Sequence, residues 1–194
     1  MAIKRPKGKA GTLIVLEHAS KILAGNPLGD PHVRRLGVWL PPQYDQSIGK
    51  RGSTGQRFPV LWDLVGFTGS GLVHTGWKPF GDNVPERAAR LIHEQKMGPA
   101  IIVFPDCFTA LGGNQYVNSS AIGNYADYLT REIIAFVDRE FRTLASREHR
   151  GCFGKSSGGY GSIIHGMKYA KDWGAVANHS DDPYLVFGYR HHWP

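Results

Sequence analysis

A chain of 194 residues, 41% apolar and 20% charged, holds enough apolar material for one sizeable buried core and too much for a disordered polymer. Its formal charge of +7 comes from 23 basic against 16 acidic residues. Part of that charge sits at Lys4, Arg5, Lys7 and Lys9; the rest is dispersed, with no groove of interleaved aromatic and basic side chains, so no nucleic-acid partner is expected.

Residues 1–10 read as a flexible basic arm and 11–194 as one domain, without repeat or linker. No apolar run approaches a membrane span, and residues 13–16 are too short for a signal-peptide core; a cytoplasmic protein with no membrane partner is the default. Strands are expected at 12–16 (TLIVL) and 36–40 (LGVWL), separated by the turn-rich 26–31 (NPLGDP). Pro41-Pro42 stops the second strand, and 47–56 has the composition of an exposed loop.

The run 58–67 (FPVLWDLVGF) is almost continuously apolar, as in a strand buried on both faces, and leads into Thr68-Gly69-Ser70-Gly71. A helix is expected over 84–96, with Ala88, Leu91 and Ile92 inward, then a buried strand at 100–104 (AIIVF). Residues 111–120 (LGGNQYVNSS) are polar, turn-rich and aromatic, which suits a loop over a site better than a core element. Asn124 is placed to cap a helix whose stripe is Tyr125, Leu129, Ile133, Phe136, Val137 and Phe141. Cys107 and Cys152 lie beside apolar runs and read as small buried hydrophobes.

The chemistry concentrates in 149–167. An apolar run, Cys152-Phe153, is followed by Gly154-Lys155-Ser156-Ser157-Gly158-Gly159 and a segment able to be helical. That is the G-x-S-x-G order of a nucleophile elbow: Gly154 and Gly158 let the chain close around Ser156, and the helix start offers its N–H groups to an oxyanion. The rival is a phosphate loop ending Gly154-Lys155-Ser156, but it needs a glycine where His149 stands. A last strand is expected at 174–177. Alternating strands and helices imply a doubly wound sheet, and residues 66–71, 106–118, Ser156 and 179–182 all fall at the carboxyl ends of its strands.

The chain resembles the esterase D-like family of α/β-hydrolases, which includes feruloyl esterases, S-formylglutathione hydrolases, enterochelin esterases and mycolyltransferases. The similarity is carried by 26–31 (NPLGDP), 38–44 (VWLPPQY), 58–61 (FPVL), 104–106 (FPD), 113–116 (GNQY), Asn124-Tyr125 and 154–159 (GKSSGG). It implies an α/β-hydrolase sheet, mostly parallel, and acyl transfer from a small-molecule carboxylic ester through an acyl-enzyme on Ser156. The implied oxyanion donors are the N–H groups of Ser157 and Phe67, with no cofactor and no metal. Val65-Gly66 stands where the family often has His-Gly.

The family's order is Ser, Asp, His, with the acid and base after two further strands, whereas this sequence stops at Pro194. The expectation is a partial domain lacking its last strands and helices, impaired in turnover and prone to self-association through an exposed sheet edge. The alternative is a non-catalytic domain that at most binds an ester or sugar. His165 is expected to point away from Ser156; His179, oriented by Asp181, is the candidate surrogate base, and His179, Asp181, Asn114 and Tyr116 are candidate pocket-lining residues. Asp181-Asp182 with His191-His192 matches no helical metal-ligand spacing.

Overall fold

The computed structural model describes residues 9–46 and 55–181. The basic arm up to residue 8, most of the loop expected at 47–56, and Asp182, His191 and His192 lie outside the described residues. In chain order come β1 (Thr12–Ala19), β2 (Val33–Leu40), the short α1 (Gln43–Gln46), β3 (Val60–Leu64), a 3-10 turn (Gly71–Thr75), α2 (Val84–His93) and β4 (Ile101–Pro105). A two-stranded hairpin follows, β5 (Asn118–Ser119) with β6 (Gly123–Asn124), then α3 (Tyr125–Asp127), a π-helical turn (Tyr128–Ile133) and α4 (Ile134–Glu140). A 3-10 turn (Arg147–His149), β7 (Arg150–Lys155), α5 (Ser157–Lys168) and β8 (Ala175–His179) complete it.

Six strands form one sheet in the order β1-β2-β4-β3-β7-β8. β1 and β2 form an antiparallel pair whose turn is shaped by Asn26: its side chain accepts from the Asp30 N–H at 3.0 Å and donates to the carbonyls of Leu23 and Asp30. β3 is parallel to both β4 and β7, and β7 is parallel to β8, so the short apolar runs occupy the centre of the sheet.

Alternation along the strands separates two apolar layers. Val38, Val60, Trp62, Leu64 and Val103 face the helical segment 125–140, packing with Tyr125, Tyr128, Leu129, Ile133 and Val137. Trp39, Ile102 and Phe104 face the other way, against Ala88, Ala89 and Ile92 of α2. That helix starts in a capping box: Asn83 Oδ1 accepts from the Glu86 N–H at 2.8 Å, and the Glu86 carboxylate accepts from the Asn83 N–H at 3.0 Å. It ends at His93, short of the expected Lys96, because Gln95 takes a left-handed conformation with φ 57°.

The second helical segment differs from expectation at its start. Asn124 occupies the N-cap position, but its side chain caps nothing there; Asn118 Oδ1, from the preceding hairpin, accepts from the Asp127 N–H at 3.1 Å. The expected apolar stripe does lie in the core, with Tyr125, Leu129, Ile133, Val137 and Phe141 buried and Phe136 packed against them, and it runs through a π-helical turn. Cys107 and Cys152 are free and buried; burial raises both thiols, that of Cys152 to about 12. Among the described residues, no helix is long and apolar enough to cross a membrane.

Candidate functional site at the carboxyl edge of the sheet

β7 ends at Lys155, α5 begins at Ser157, and Ser156 alone makes the turn, with φ 56° and ψ −125°. A non-glycine residue held there carries strain of about 1–3 kcal/mol, sustained only where surrounding packing enforces it. The enforcement is visible in the glycines. A Cβ on Gly158 would lie 1.7 Å from the Leu64 carbonyl oxygen, and one on Gly154 would lie 2.3 Å from the Gly158 carbonyl carbon. Only residues without a side chain let α5 start this close to β3 and β7.

Around the serine, the Ser156 N–H donates to the His179 carbonyl on β8 at 3.1 Å, and its own carbonyl accepts from the Tyr160 N–H at 3.0 Å. Its side chain is partly exposed and makes no hydrogen bond among the described residues. Ser157, as the first residue of α5, has an N–H with no acceptor inside the helix. A Cβ on Gly66 would sit 3.6 Å from Ser156 Cβ, so the segment after β3 runs directly beside the turn.

Phe67 lies on that segment, half exposed. Its carbonyl accepts from the Gly113 N–H at 2.6 Å, and its ring covers Gly112, whose φ of 106° and contact to the ring exclude any side chain. The segment after β4 thus holds Phe67 in place from outside. It also holds Val65, whose carbonyl accepts from the Tyr116 hydroxyl at 2.8 Å.

The composition of residues 111–120 predicts a loop over a site with Asn114 and Tyr116 lining a pocket; the structure instead places both side chains in the interior. Asn114 is 4% exposed, donating to the Cys107 carbonyl and accepting from the Tyr116 N–H, both at 2.7 Å. Tyr116, 2% exposed with φ 59°, belongs to the main core, and burial pushes its phenol well above the usual range. Both brace the site from beneath. The polar composition of this stretch misled because asparagine and tyrosine satisfy their polar groups locally and can then be buried.

His165 is fully buried, as expected of a residue turned away from the serine. The Trp173 indole N–H, which can only donate, reaches His165 Nδ1 at 3.1 Å. Nε2 therefore carries the proton and donates to the Tyr116 carbonyl at 2.8 Å. Burial lowers its pKa below the ordinary value.

His179 lies opposite Lys155 in the β7–β8 register, with its side chain exposed, while Asp181 is partly buried. Neither side chain is hydrogen-bonded to the other or to Ser156 among the described residues, so the surrogate arrangement of Ser156, His179 and Asp181 is not assembled here. No group of three or more metal-ligating side chains occurs among the described residues.

Asp63 and His74 form a pair at this edge that no motif in the sequence marks. Asp63 sits near the carboxyl end of β3 at 1% exposure, and His74, on the 3-10 turn, brings Nδ1 to 2.8 and 3.0 Å from its two carboxylate oxygens. The pair joins the chain before the Phe67 loop to the chain after it. The available signal was a carboxylate inside the otherwise apolar run 58–67, which demands a partner when buried.

Residues 31–187 match the family model described as putative esterase. Esterase Rv1288 of Mycobacterium tuberculosis is 32% identical over 103 residues, 49% of this chain and 22% of that protein. Among solved structures, a ferulic acid esterase from Anaeromyces mucronatus in complex with ferulic acid superposes with a TM-score of 0.71 at 21% identity, covering 94% of this chain and 62% of that one. An S-formylglutathione hydrolase from Agrobacterium tumefaciens superposes with a TM-score of 0.61 at 20% identity, over 88% of this chain and 58% of that one. The chain spans about a fifth of the length of the curated relative and under two thirds of each structural neighbour. The architecture shared with these neighbours is the α/β-hydrolase fold.

Proposed function

That the chain belongs to the putative esterase family is the premise from which we propose a serine-dependent carboxylic ester hydrolase, with Ser156 as nucleophile. The observation that carries the reading is the strained turn at Ser156, set against a free helix N-terminus and the Phe67 loop. Ser156 Oγ attacks the ester carbonyl, and the developing oxyanion is held by the N–H groups of Ser157 and Phe67. The alcohol leaves, and water hydrolyses the acyl-enzyme. The site calls for no cofactor or metal, and the partner is a small-molecule ester.

A general base must take the serine proton, and no imidazole is hydrogen-bonded to Ser156 Oγ among the described residues. Loss of triad members in serine proteases still leaves about 10³ to 10⁴-fold catalysis over water. The expected result with a fluorophosphonate probe is therefore slow but specific labelling of the 194-residue chain, abolished in Ser156→Ala and unchanged in His179→Ala. Labelling that persists in Ser156→Ala refutes the assignment of the nucleophile. Fast labelling lost in both variants restores His179 as base.

A further inference from the structure

The segment 76–81 (GWKPFG) joins the 3-10 turn to α2 and carries two large apolar side chains that the core does not use. Trp77 is 75% exposed and Phe80 101% exposed, beside Pro79 and Lys78. The tip is apolar, but its base is tied. The Asn83 side-chain amide donates to the Thr75 carbonyl at 2.9 Å across the two ends of the loop, the Thr75 hydroxyl donates to the Leu72 carbonyl at 2.7 Å, and Asp82 pairs with Arg90 at 2.8 Å. A loop clamped at its neck while its largest side chains project into water is an interaction surface in shape and composition.

Its position follows from the topology. The chain leaves the carboxyl end of β3, makes this loop, and returns along the sheet in α2 to enter β4, so the loop stands at the same edge as Ser156. Val73 and Phe67 on the preceding segment, and Leu111 after β4, add exposed apolar surface at that edge.

The charge at the tip itself is the Lys78 ammonium, and the carboxylates lie behind it on and before α2. Asp82 pairs with Arg90, and Glu86 keeps its charge at the start of α2, whereas Lys78 and Arg87 form no ion pair among the described residues. Trp and Phe flanking a cation suit a water–lipid boundary, where the rings enter the acyl layer and the ammonium meets anionic headgroups. A protein partner would need a cavity shaped to two projecting rings; a bilayer conforms to them.

We propose that residues 76–81 dock this protein peripherally on an anionic lipid surface, with Trp77 and Phe80 inserted and Lys78 at the headgroups. The expectation of no membrane partner rests on the lack of a spanning run, a criterion that does not test a loop tip. The further consequence, that the ester handled at Ser156 has an apolar acyl chain presented by that surface, rests on the esterase reading above.

The test is cosedimentation of the full chain with vesicles of phosphatidylglycerol or phosphatidylcholine. Wild type is expected to pellet with phosphatidylglycerol vesicles, more strongly at low salt. Trp77→Ser with Phe80→Ser, both in exposed positions, is expected to weaken binding at least about tenfold. Lys78→Glu is expected to weaken it about fivefold or more on the anionic vesicles and little on the neutral ones. A wild-type chain that stays in the supernatant overturns the proposal, as does undiminished binding by the double variant, which would assign it to the basic residues before Lys9. Loss of a dimer in sedimentation velocity, with vesicle binding unchanged, would make the tip a self-association surface instead. Ser156→Ala is expected to bind like wild type, so vesicle binding without probe labelling would sink the esterase reading and leave this one standing.

Discussion

The strand carrying the serine turn has two parallel neighbours of opposite character. β3 on one side is buried along almost its whole length, while β8 on the other is exposed at every residue and has a free outer edge among the described residues. Ser156 draws on both: Leu64 at the end of β3 excludes any side chain from Gly154 and Gly158, and β8 contributes a single backbone acceptor, the His179 carbonyl. The difference teaches that the geometry of the turn is imposed from the β3 side. The β8 side follows it.

The largest expected effect comes from adding one methyl group on each side. Gly158→Ala places Cβ against the Leu64 carbonyl, a backbone atom that cannot yield, and is expected to cost about 4 kcal/mol or more. Gly166→Ala, also on α5 but facing β8, meets only the Val176 methyl groups at 2.9 and 3.0 Å. There the gain in helix propensity offsets the contact, and the net change is expected to stay within about 1 kcal/mol. Urea denaturation of the two variants measures the contrast; equal costs would mean that both flanks constrain the turn alike.

The second test addresses the buried charge that only the β3 flank carries. His74→Ala leaves Asp63 without its partner and is expected to cost about 3 kcal/mol, because an uncompensated buried carboxylate remains. His74→Ala combined with Asp63→Leu is expected to recover most of that loss in the same denaturation experiment, since the charge itself is gone. If the double variant is no better than the single one, the pair matters for shape and not for charge.

The smallest effect is a pH dependence set beneath the site by His165. Its pKa is lowered in the fold from 6.5, so the unfolded chain binds the proton more readily. The stability it contributes is present above about pH 6.5 and is lost as pH falls from there through the folded value, at no more than about 1.4 kcal/mol per pH unit for one proton. Denaturation midpoints between pH 8 and pH 5 should show this slope, and His165→Gln should flatten it. An unchanged slope would assign the dependence to other groups.

The same contrast explains what could be read from the chain beforehand. β3 and β4 are short apolar runs bounded by turn residues, and the turn at Ser156 is marked by glycines at fixed spacing around it, so both were legible. The Asp63–His74 pair was not, because the two residues meet through a loop whose path depends on packing against β4. The roles of Asn114 and Tyr116 were hidden for a related reason: a polar stretch looks the same whether it faces water or closes its own hydrogen bonds inside. The π-helical turn leaves no mark in the apolar stripe.

The insertion of β3 between β4 and β7 also has a kinetic meaning. Val60 pairs with Ile101 on one side and with Arg150 on the other, so one strand must find partners separated widely from it and from each other along the chain. Loop-closure entropy has to be met before those contacts return any free energy, which makes this pairing slow compared with the local hairpin of β1 and β2. The backbone of Ser156 can adopt its angle only when Leu64 and Gly158 have come together. The turn at Ser156 is therefore expected to be among the last parts of the chain to form, and among the first to report, by its loss of shape, that the centre of the sheet has opened.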